Sequence, residues 1–189
     1  GNYIHYGVRE HGMAAVMNGL ALYDNIIPYG GTFLIFSDYC KPSIRLSALM
    51  GLKVIYIFSH DSIGLGEDGP THQPIEQLTG LRSIPNLKVF RPADINETFE
   101  CWEAALKNET GPSAIILSRQ KLKYINQKLD VENKSLLGGY ELKITSHDNK
   151  VTLIASGSEV ELAIDVQDEL KNLGIESKVV SMPCQELFD

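Results

Sequence analysis

Apolar residues along the chain come in short bursts set between stretches of helical spacing. Residues 10–23 place Met13, Val16, Met17 and Leu20 three and four apart, which predicts a helix. Before it, Tyr3 to Tyr6 reads as the end of a strand. Gly30-Gly31 breaks the pattern ahead of TFLIF, a strand-like run, and Ser43 to Met50 returns to helical spacing. The segment KVIYIFS at 53–59 is β-branched and apolar with little alternation, as in a parallel strand buried on both faces. Pro74 sits near the start of another helix, where a missing N–H costs little. LKVFRP reads as a strand. Asp94, followed three residues on by Glu97, has the form of a capping box and opens a helix to about Lys107. SAIILS is the next strand. Strands alternating with helices predict a parallel α/β sheet, whose functional loops lie at the carboxyl ends of the strands. The loop after Ser59, and Arg119 after SAIILS, belong to that edge.

The pattern changes beyond residue 120. Lys121 to Leu137 is polar and rich in Lys and Asn, and reads as a linker. GGYELKI and KVTLIAS follow as strands. Gly157 or Ser158 is placed to cap a helix from about Glu159 to Leu173, Gly174 ends it, and ESKVVSM is a further strand. This β-β-α-β unit is too small to bury a core of its own. The expected organisation is one α/β domain over residues 1–122, a linker over 123–137, and the truncated start of a second α/β domain over 138–189. The chain opens on Gly within patterned sequence and stops just after a strand, so a piece of a longer protein is expected.

Composition narrows the partners. Hydrophobic residues make up 43% and charged residues 22% of 189, the balance of a folded globular chain. A formal net charge of -7 argues against a nucleic-acid or membrane-surface partner, while leaving local Arg and His free to bind phosphorylated substrates. Cys40, Cys101 and Cys184 are odd in number and widely spaced, which fits a reducing cytosol better than disulfides or a zinc ribbon. No apolar run is long enough for a membrane helix, and no signal peptide is visible.

Chemistry concentrates in HDSIGLGEDGPTHQP, residues 60–74, which holds two His, three acids and three Gly. Gly64, Gly66 and Gly69 permit tight turns, so His60, Asp68 and His72 can be folded toward one point. One reading is a hydrolytic metal site, since such sets bind zinc. Another is a solvated polar loop. The buried strand before it and the scarcity of aliphatic residues favour function. Taken singly, the other candidates have plain structural explanations. Glu10 suits a helix amino terminus, Phe33, Phe36 and Tyr39 suit a core, and Arg119 suits a surface ion pair.

The motifs taken together resemble the transketolase family. YGVREHGMAAVMNG, YGGTFLIFSDY, HDSIG with GEDGPTHQP, and ILSRQ occur in family order and at family spacing over most of residues 3–120. GGYEL and ASGSEVELA are similar to the start of the family's C-terminal domain. Deoxyxylulose-phosphate synthase and the beta subunit of pyruvate dehydrogenase share the Arg-Glu-His element and a DGPTH-like loop, but not usually the leading HDSIG or the Gln-Pro ending.

The resemblance implies a thiamine diphosphate-binding, pyrimidine-type domain over residues 1–122. It also implies transfer of a two-carbon ketol unit between sugar phosphates, in the cytoplasmic pentose phosphate pathway, through a carbanion of the cofactor. Glu10 matches the catalytic glutamate that hydrogen-bonds the aminopyrimidine ring, a role served by an apolar setting that raises its pKa. Phe33, Phe36 and Tyr39 match the aromatics packed around that ring, with Phe36 the strongest stacking candidate. Their spacing of three is helix-like although TFLIF reads as a strand, and a strand-to-helix junction reconciles the two. His72 matches a catalytic and substrate-binding histidine near the reacting carbonyl, and Asp68 a contact to a substrate hydroxyl. His60 and Arg119 match the pair that holds the substrate phosphate. Arg9 and His11 are assigned local packing, and Ser158 and Glu159 a structural role. Lys41 and Pro42, where the family usually has small residues, are expected to alter the start of the following helix.

In the family the site lies between two subunits of a homodimer. A Gly-Asp-Gly motif in an N-terminal domain holds the Mg2+ or Ca2+ that anchors the diphosphate. That motif is absent from this sequence, so these residues supply half a site. The alternative is that the chain by itself is a non-catalytic module.

Overall fold

The computed structural model describes residues 2–23, 26–125, 132–146 and 148–188. The chain divides into two compact units, Gly1–Val89 with Ala105–Gln120, and Phe90–Ala104 with Lys121–Asp189.

In the first unit, α1 (Glu10–Tyr23) occupies the stretch of helical spacing and buries Met13, Ala14, Met17 and Asn18. Next comes β1 (Tyr29–Phe33), shorter than TFLIF suggests, because Leu34–Phe36 turn as a 3₁₀ helix and lead directly into α2 (Ser37–Leu49). The strand-to-helix junction inferred from the aromatic spacing is present. The helix begins six residues before the expected Ser43, with Pro42 inside it. Pro42, the sixth residue of the helix, has no N–H for the Asp38 carbonyl and its ring crowds that carbonyl, so the helix forms here against a local cost. The strand expected over Tyr3 to Tyr6 is absent, and those residues have no regular structure.

The sheet continues with β2 (Ile55–Ser59). After the loop come α3 (Gln77–Arg82), β3 (Lys88–Phe90), α4 (Ile95–Lys107) and β4 (Ser113–Ile116). The strand order is β1-β2-β4-β3. The β1–β2 and β2–β4 pairs are parallel, with Phe33 opposite Ser59 and Phe58 opposite Ile116. The central strand β2 is buried on both sides, as its unbroken apolar run requires. One cluster forms the core, including Met17, Leu34, Ile44, Tyr56, Phe58, Leu81, Leu87 and Ile116. Each large side chain fully buried there contributes about 1.5–3 kcal/mol.

A polar network crosses this core. Ser47 Oγ donates to Asn18 Oδ1 at 2.6 Å and lies 2.6 Å from the Tyr56 hydroxyl. Asn18 Nδ2 donates to the Ser43 carbonyl at 2.9 Å. Each of these buried groups has a partner, so the network ties α1 to α2 and β2 in one alignment. Burial pushes the Tyr56 phenol up, so it remains neutral.

The second unit contains a three-stranded sheet of order β5-β7-β6, made of β5 (Tyr140–Ile144), β6 (Val151–Ala155) and β7 (Ser177–Ser181). β5 is antiparallel and β6 parallel to β7. α5 (Glu159–Asn172) buries Val160, Ala163 and Gln167, and α6 (Gln185–Phe188) ends the chain's described structure. The expected β-β-α-β order is present. Ser158 holds the N-cap position of α5 but makes no side-chain capping bond. Its helix start is fixed instead by Arg91, which donates to the Ser156 carbonyl at 3.0 Å and pairs with Glu159. Within the expected linker, Lys134–Leu137 form a 3₁₀ turn, and residues 126–131 lie outside the described residues.

The first ten residues of α4 belong to this unit. Asp94 Oδ1 accepts from the Glu97 backbone N–H at 3.0 Å, as an N-cap does. Glu97 reaches one residue beyond the ordinary capping box and accepts from the Ala93 N–H at 2.7 Å. Its other oxygen accepts from the Tyr140 hydroxyl at 2.7 Å and the Ser181 hydroxyl at 2.5 Å. One carboxylate of 3% exposure thus joins α4 to β5 and β7. Burial raises its pKa, the two hydroxyls and the Ala93 amide oppose that rise, and the Asp94 charge adds to it.

A raised acid binds its proton more tightly in the folded chain, so this contribution is full below the usual carboxylate range. It is lost as the pH rises through the native value. Replacing Glu97 by Leu orphans two hydroxyls and an amide and is expected to lower stability by about 2–5 kcal/mol. Glu97→Gln can still bond all three groups, because both hydroxyls can turn to accept. It should cost less and flatten the pH dependence. Denaturant melts between pH 4 and 8 give both numbers, and an equally steep pH dependence in Glu97→Gln would refute the assignment.

Candidate active site

The β1–β2 register builds the site. Because Phe33 pairs with Ser59, the last residues of both strands lie side by side, and His60 follows at once. The His60 ring stacks on Phe33 with centroids 3.6 Å apart and planes 17° from parallel. His60 holds a φ of 59°, a left-handed conformation uncommon outside glycine, though histidine adopts it more often than most residues. Its Nδ1 lies 3.0 Å from the Ser59 hydroxyl, which leaves Nε2 for a ligand.

Phe33, Phe36 and Tyr39 form a continuous ladder. Phe33 and Phe36 are 6.0 Å apart at 23°, and Phe36 and Tyr39 5.8 Å apart at 14°. The 3₁₀ turn between β1 and α2 sets Phe33 over Phe36, since residues three apart eclipse in such a turn, and the first turn of α2 carries Tyr39 onto the same side. Tyr39 is 65% exposed, so the ladder presents a face to solvent that packing does not consume. His72 meets it edge-on, 5.3 Å from Phe36 at 87° and 6.3 Å from Phe33 at 69°. His72 Nδ1 lies 2.8 Å from the Thr71 hydroxyl. Both histidines therefore converge on Phe33.

Asp68 is exposed and makes no ring or hydrogen-bond contact with either histidine. Among the described residues, no group of three or more His, Cys, Asp or Glu is arranged to hold a metal ion. The loop itself is anchored by Leu65, 1% exposed, and by Ser62 Oγ accepting from the Gly64 N–H at 3.2 Å. Gly66 and Gly69 have φ values of 94° and 76°, so the turns do require them. Gly64 does not have a left-handed φ, and its reason lies in packing against Gln120. Farther on, Gln77 donates to Asp38 Oδ2 at 2.8 Å and accepts from the Ile75 N–H at 2.9 Å, which pins the loop's far end to α2.

Arg119 lies three residues beyond β4, exposed, with its guanidinium against Gly66. It forms no ion pair among the described residues, so it is a cation available to an anionic ligand. Glu10 sits half-buried in the first turn of α1 and likewise has no hydrogen-bond or ion-pair partner among the described residues. Burial, and then the Glu10 charge, push the Cys40 thiol up to about 12. Cys40 is thus protonated and inert at neutral pH. His11, which flanks Glu10, lies with Nδ1 3.3 Å from the Ser43 hydroxyl. A carboxyl without a partner, able to share a proton with a ring nitrogen, and an open aromatic face are what the pyrimidine end of thiamine diphosphate would need, so the residues present fit it. The Phe33–His60 stack and the Gln120–Gly64 contact had no signature in the sequence, since both depend on strand register and loop path.

The chain matches known proteins along its whole length. Residues 1–124 match the family described as "Transketolase, pyrimidine binding domain", and residues 138–189 match "Transketolase-like TK C-terminal domain". The transketolase of Sinorhizobium medicae is 58% identical over the whole of this chain, which spans 27% of that protein. A crystal structure of the Pichia stipitis transketolase in complex with sedoheptulose 7-phosphate superimposes with a TM-score of 0.94 at 46% identity. It too is matched by all of this chain, over 28% of its own length. A structure described as a split gene transketolase, inactive beta4 tetramer, matches 95% of this chain and 56% of its own at a TM-score of 0.82 and 30% identity. The chain belongs to the transketolase family.

Proposed function

We propose that this chain supplies the pyrimidine-binding half of an active site that transfers a two-carbon ketol unit between sugar phosphates. The observation that carries the reading is the aromatic ladder Phe33–Phe36–Tyr39, flanked by His60 and His72 at the carboxyl edge of a parallel sheet. When bound, thiamine diphosphate supplies the nucleophilic carbon and the electron sink. Glu10 holds a proton between its carboxyl and the pyrimidine ring nitrogen. Phe36 and Tyr39 cover the ring and exclude water, and Phe33 does so while also backing His60. His72 donates or accepts a proton at the reacting carbonyl through Nε2. Asp68 reads a substrate hydroxyl, and His60 and Arg119 bind the terminal phosphate. The sedoheptulose 7-phosphate bound to the Pichia stipitis relative has the polyol and phosphate ends that these roles require.

In this reading residues 1–122 are the pyrimidine-binding domain, 123–137 the linker and 138–189 the start of the C-terminal domain. The Mg2+ or Ca2+ ligands for the diphosphate lie in the remainder of the parent protein, a cytoplasmic homodimer of the pentose phosphate pathway. The chain spans about 28% of the Sinorhizobium medicae and Pichia stipitis relatives, and a split gene relative that contains this region is described as inactive, which favours a second reading for the isolated polypeptide. By itself it is a folded module without turnover.

Three outcomes test these roles. In the full-length enzyme, Glu10→Ala is expected to lower kcat by at least about a hundredfold, with pyruvate decarboxylation absent before and after. Arg119→Ala should raise KM for phosphorylated donors by roughly ten- to a hundredfold while changing kcat little, the signature of a lost charged contact. An unchanged KM would remove Arg119 from the phosphate site. The isolated 189-residue chain, titrated with thiamine diphosphate and Mg2+ in a calorimeter, should show no heat of binding. Tight stoichiometric binding would overturn the module reading.

A further inference from the structure

Two consecutive side chains after β4 lie against two glycines of the 60–74 loop. A Cβ on Gly66 would lie 3.6 Å from Cζ and 3.8 Å from Nε and Nη1 of Arg119. A Cβ on Gly64 would lie 3.0 Å from each of Cδ, Oε1 and Nε2 of Gln120. Three equal distances mean that the whole amide faces Gly64 broadside. Gly66 is dictated by its φ of 94°, but Gly64 is not in the left-handed region, so what a side chain there would have to displace is the Gln120 amide. Gln120 Oε1 is buried with no hydrogen-bond partner. A buried amide oxygen left unpaired is costly, so shape rather than hydrogen bonding holds this side chain in place.

We infer that Gln120 is a positioning residue: it wedges under Gly64 and so fixes where the neighbouring Arg119 guanidinium meets the loop. Resting on the reading of Arg119 as a phosphate ligand, the inference assigns selectivity for phosphorylated substrates partly to a residue that need not touch them. The turn under which it sits has little freedom. Leu65, between the two glycines, is buried, and Ser62 caps the Gly64 amide. Atoms added at Gly64 therefore push against Gln120 rather than lift the loop, and the shift passes through one peptide unit to Arg119. Displacing a charged ligand by a fraction of an ångström weakens phosphate binding and leaves the reacting end of the substrate alone.

The test is a double-mutant cycle in the full-length enzyme, with KM and kcat read for a phosphorylated ketose donor and for a non-phosphorylated ketose donor. Gly64→Ala is expected to raise KM for the phosphorylated donor about tenfold and to leave the other within about twofold. Adding Gln120→Ala vacates the space and should recover most of that loss, so the two changes are strongly non-additive. Gln120→Ala alone should raise the phosphorylated KM about threefold, and this arm stands even where Gly64→Ala does not fold. Additive effects, an unchanged KM in Gln120→Ala, or equal losses on both donors overturn the inference. Arg119→Ala, run alongside, separates the two levels. If its KM loss is confined to the phosphorylated donor, the phosphate reading survives failure of the Gln120 inference. If it has no effect, the phosphate reading fails first and the inference with it.

Discussion

The parallel register that sets Phe33 opposite Ser59 decides which side chains can meet at the site. Gly30 and Gly31 make this register possible. A Cβ on Gly31 would lie 2.8 Å from the Ile57 carbonyl oxygen, and one on Gly30 would lie 2.7 Å from Met17 Sδ. At Gly31 the obstacle is backbone, so β1 lies against β2 more closely there than a strand with a side chain could, while at Gly30 the obstacle is a flexible methionine tip that can move. Slipping the pair by one residue would exchange the two faces of β1. Leu34 or Thr32 would then stand beside His60, and the aromatic ladder would have no histidine on it. The chemistry of the loop after β2 depends on a contact made two residues before β1 ends.

What the register brings together, the packing beneath keeps still. The Asn18–Ser47–Tyr56 network sits inside the apolar cluster, where each polar group would be costly without its partner. Apolar contacts tolerate small slides between helices, whereas hydrogen bonds with fixed geometry do not. The network therefore fixes α1, and with it Glu10 in the first turn, relative to the helix that carries Tyr39. In the other unit Glu97 has a comparable role, one carboxylate serving donors on β5, on β7 and in the turn before α4. Neither network touches the aromatic ladder, and each acts by limiting how its elements shift.

Most of the elements were legible because their signals are local. The spacing of Met13, Val16, Met17 and Leu20 is that of α1, and the apolar run Ile55–Phe58 is that of a central parallel strand. Asp94 was legible as an N-cap for the same reason. The misreadings arose where tertiary structure overrides local preference. Pro42 suggests a helix start after it, yet α2 begins at Ser37, since the 3₁₀ turn from β1 has already set a helical path. Ser158 has the composition of a cap but makes no capping bond, because Arg91, distant in sequence, binds that end of α5. At the site, residue types were readable and contacts were not. His60, His72 and Arg119 stand out as chemistry, but stacking on Phe33 and packing against Gly66 are products of topology. Asp68, grouped with the histidines by sequence, is exposed and hydrogen-bonds to neither.

His60 shows why the arrangement is specific. Its left-handed φ costs roughly 1–3 kcal/mol for a residue that is not glycine. Stacking on Phe33 returns about 0.5–1.5 kcal/mol, and a hydrogen bond to Ser59 returns a similar amount, about 0.5–1.5 kcal/mol. These terms are of one size, so the strained conformation persists only while both contacts are made. A relaxed φ would carry the chain straight on from β2 and swing the imidazole off the ladder. The left-handed turn instead folds it back over Phe33 in the first residue after the strand. Histidine, arginine and aromatic residues are common at protein surfaces. The specificity of this edge of the sheet lies in backbone conformations that hold such side chains where they would not otherwise rest.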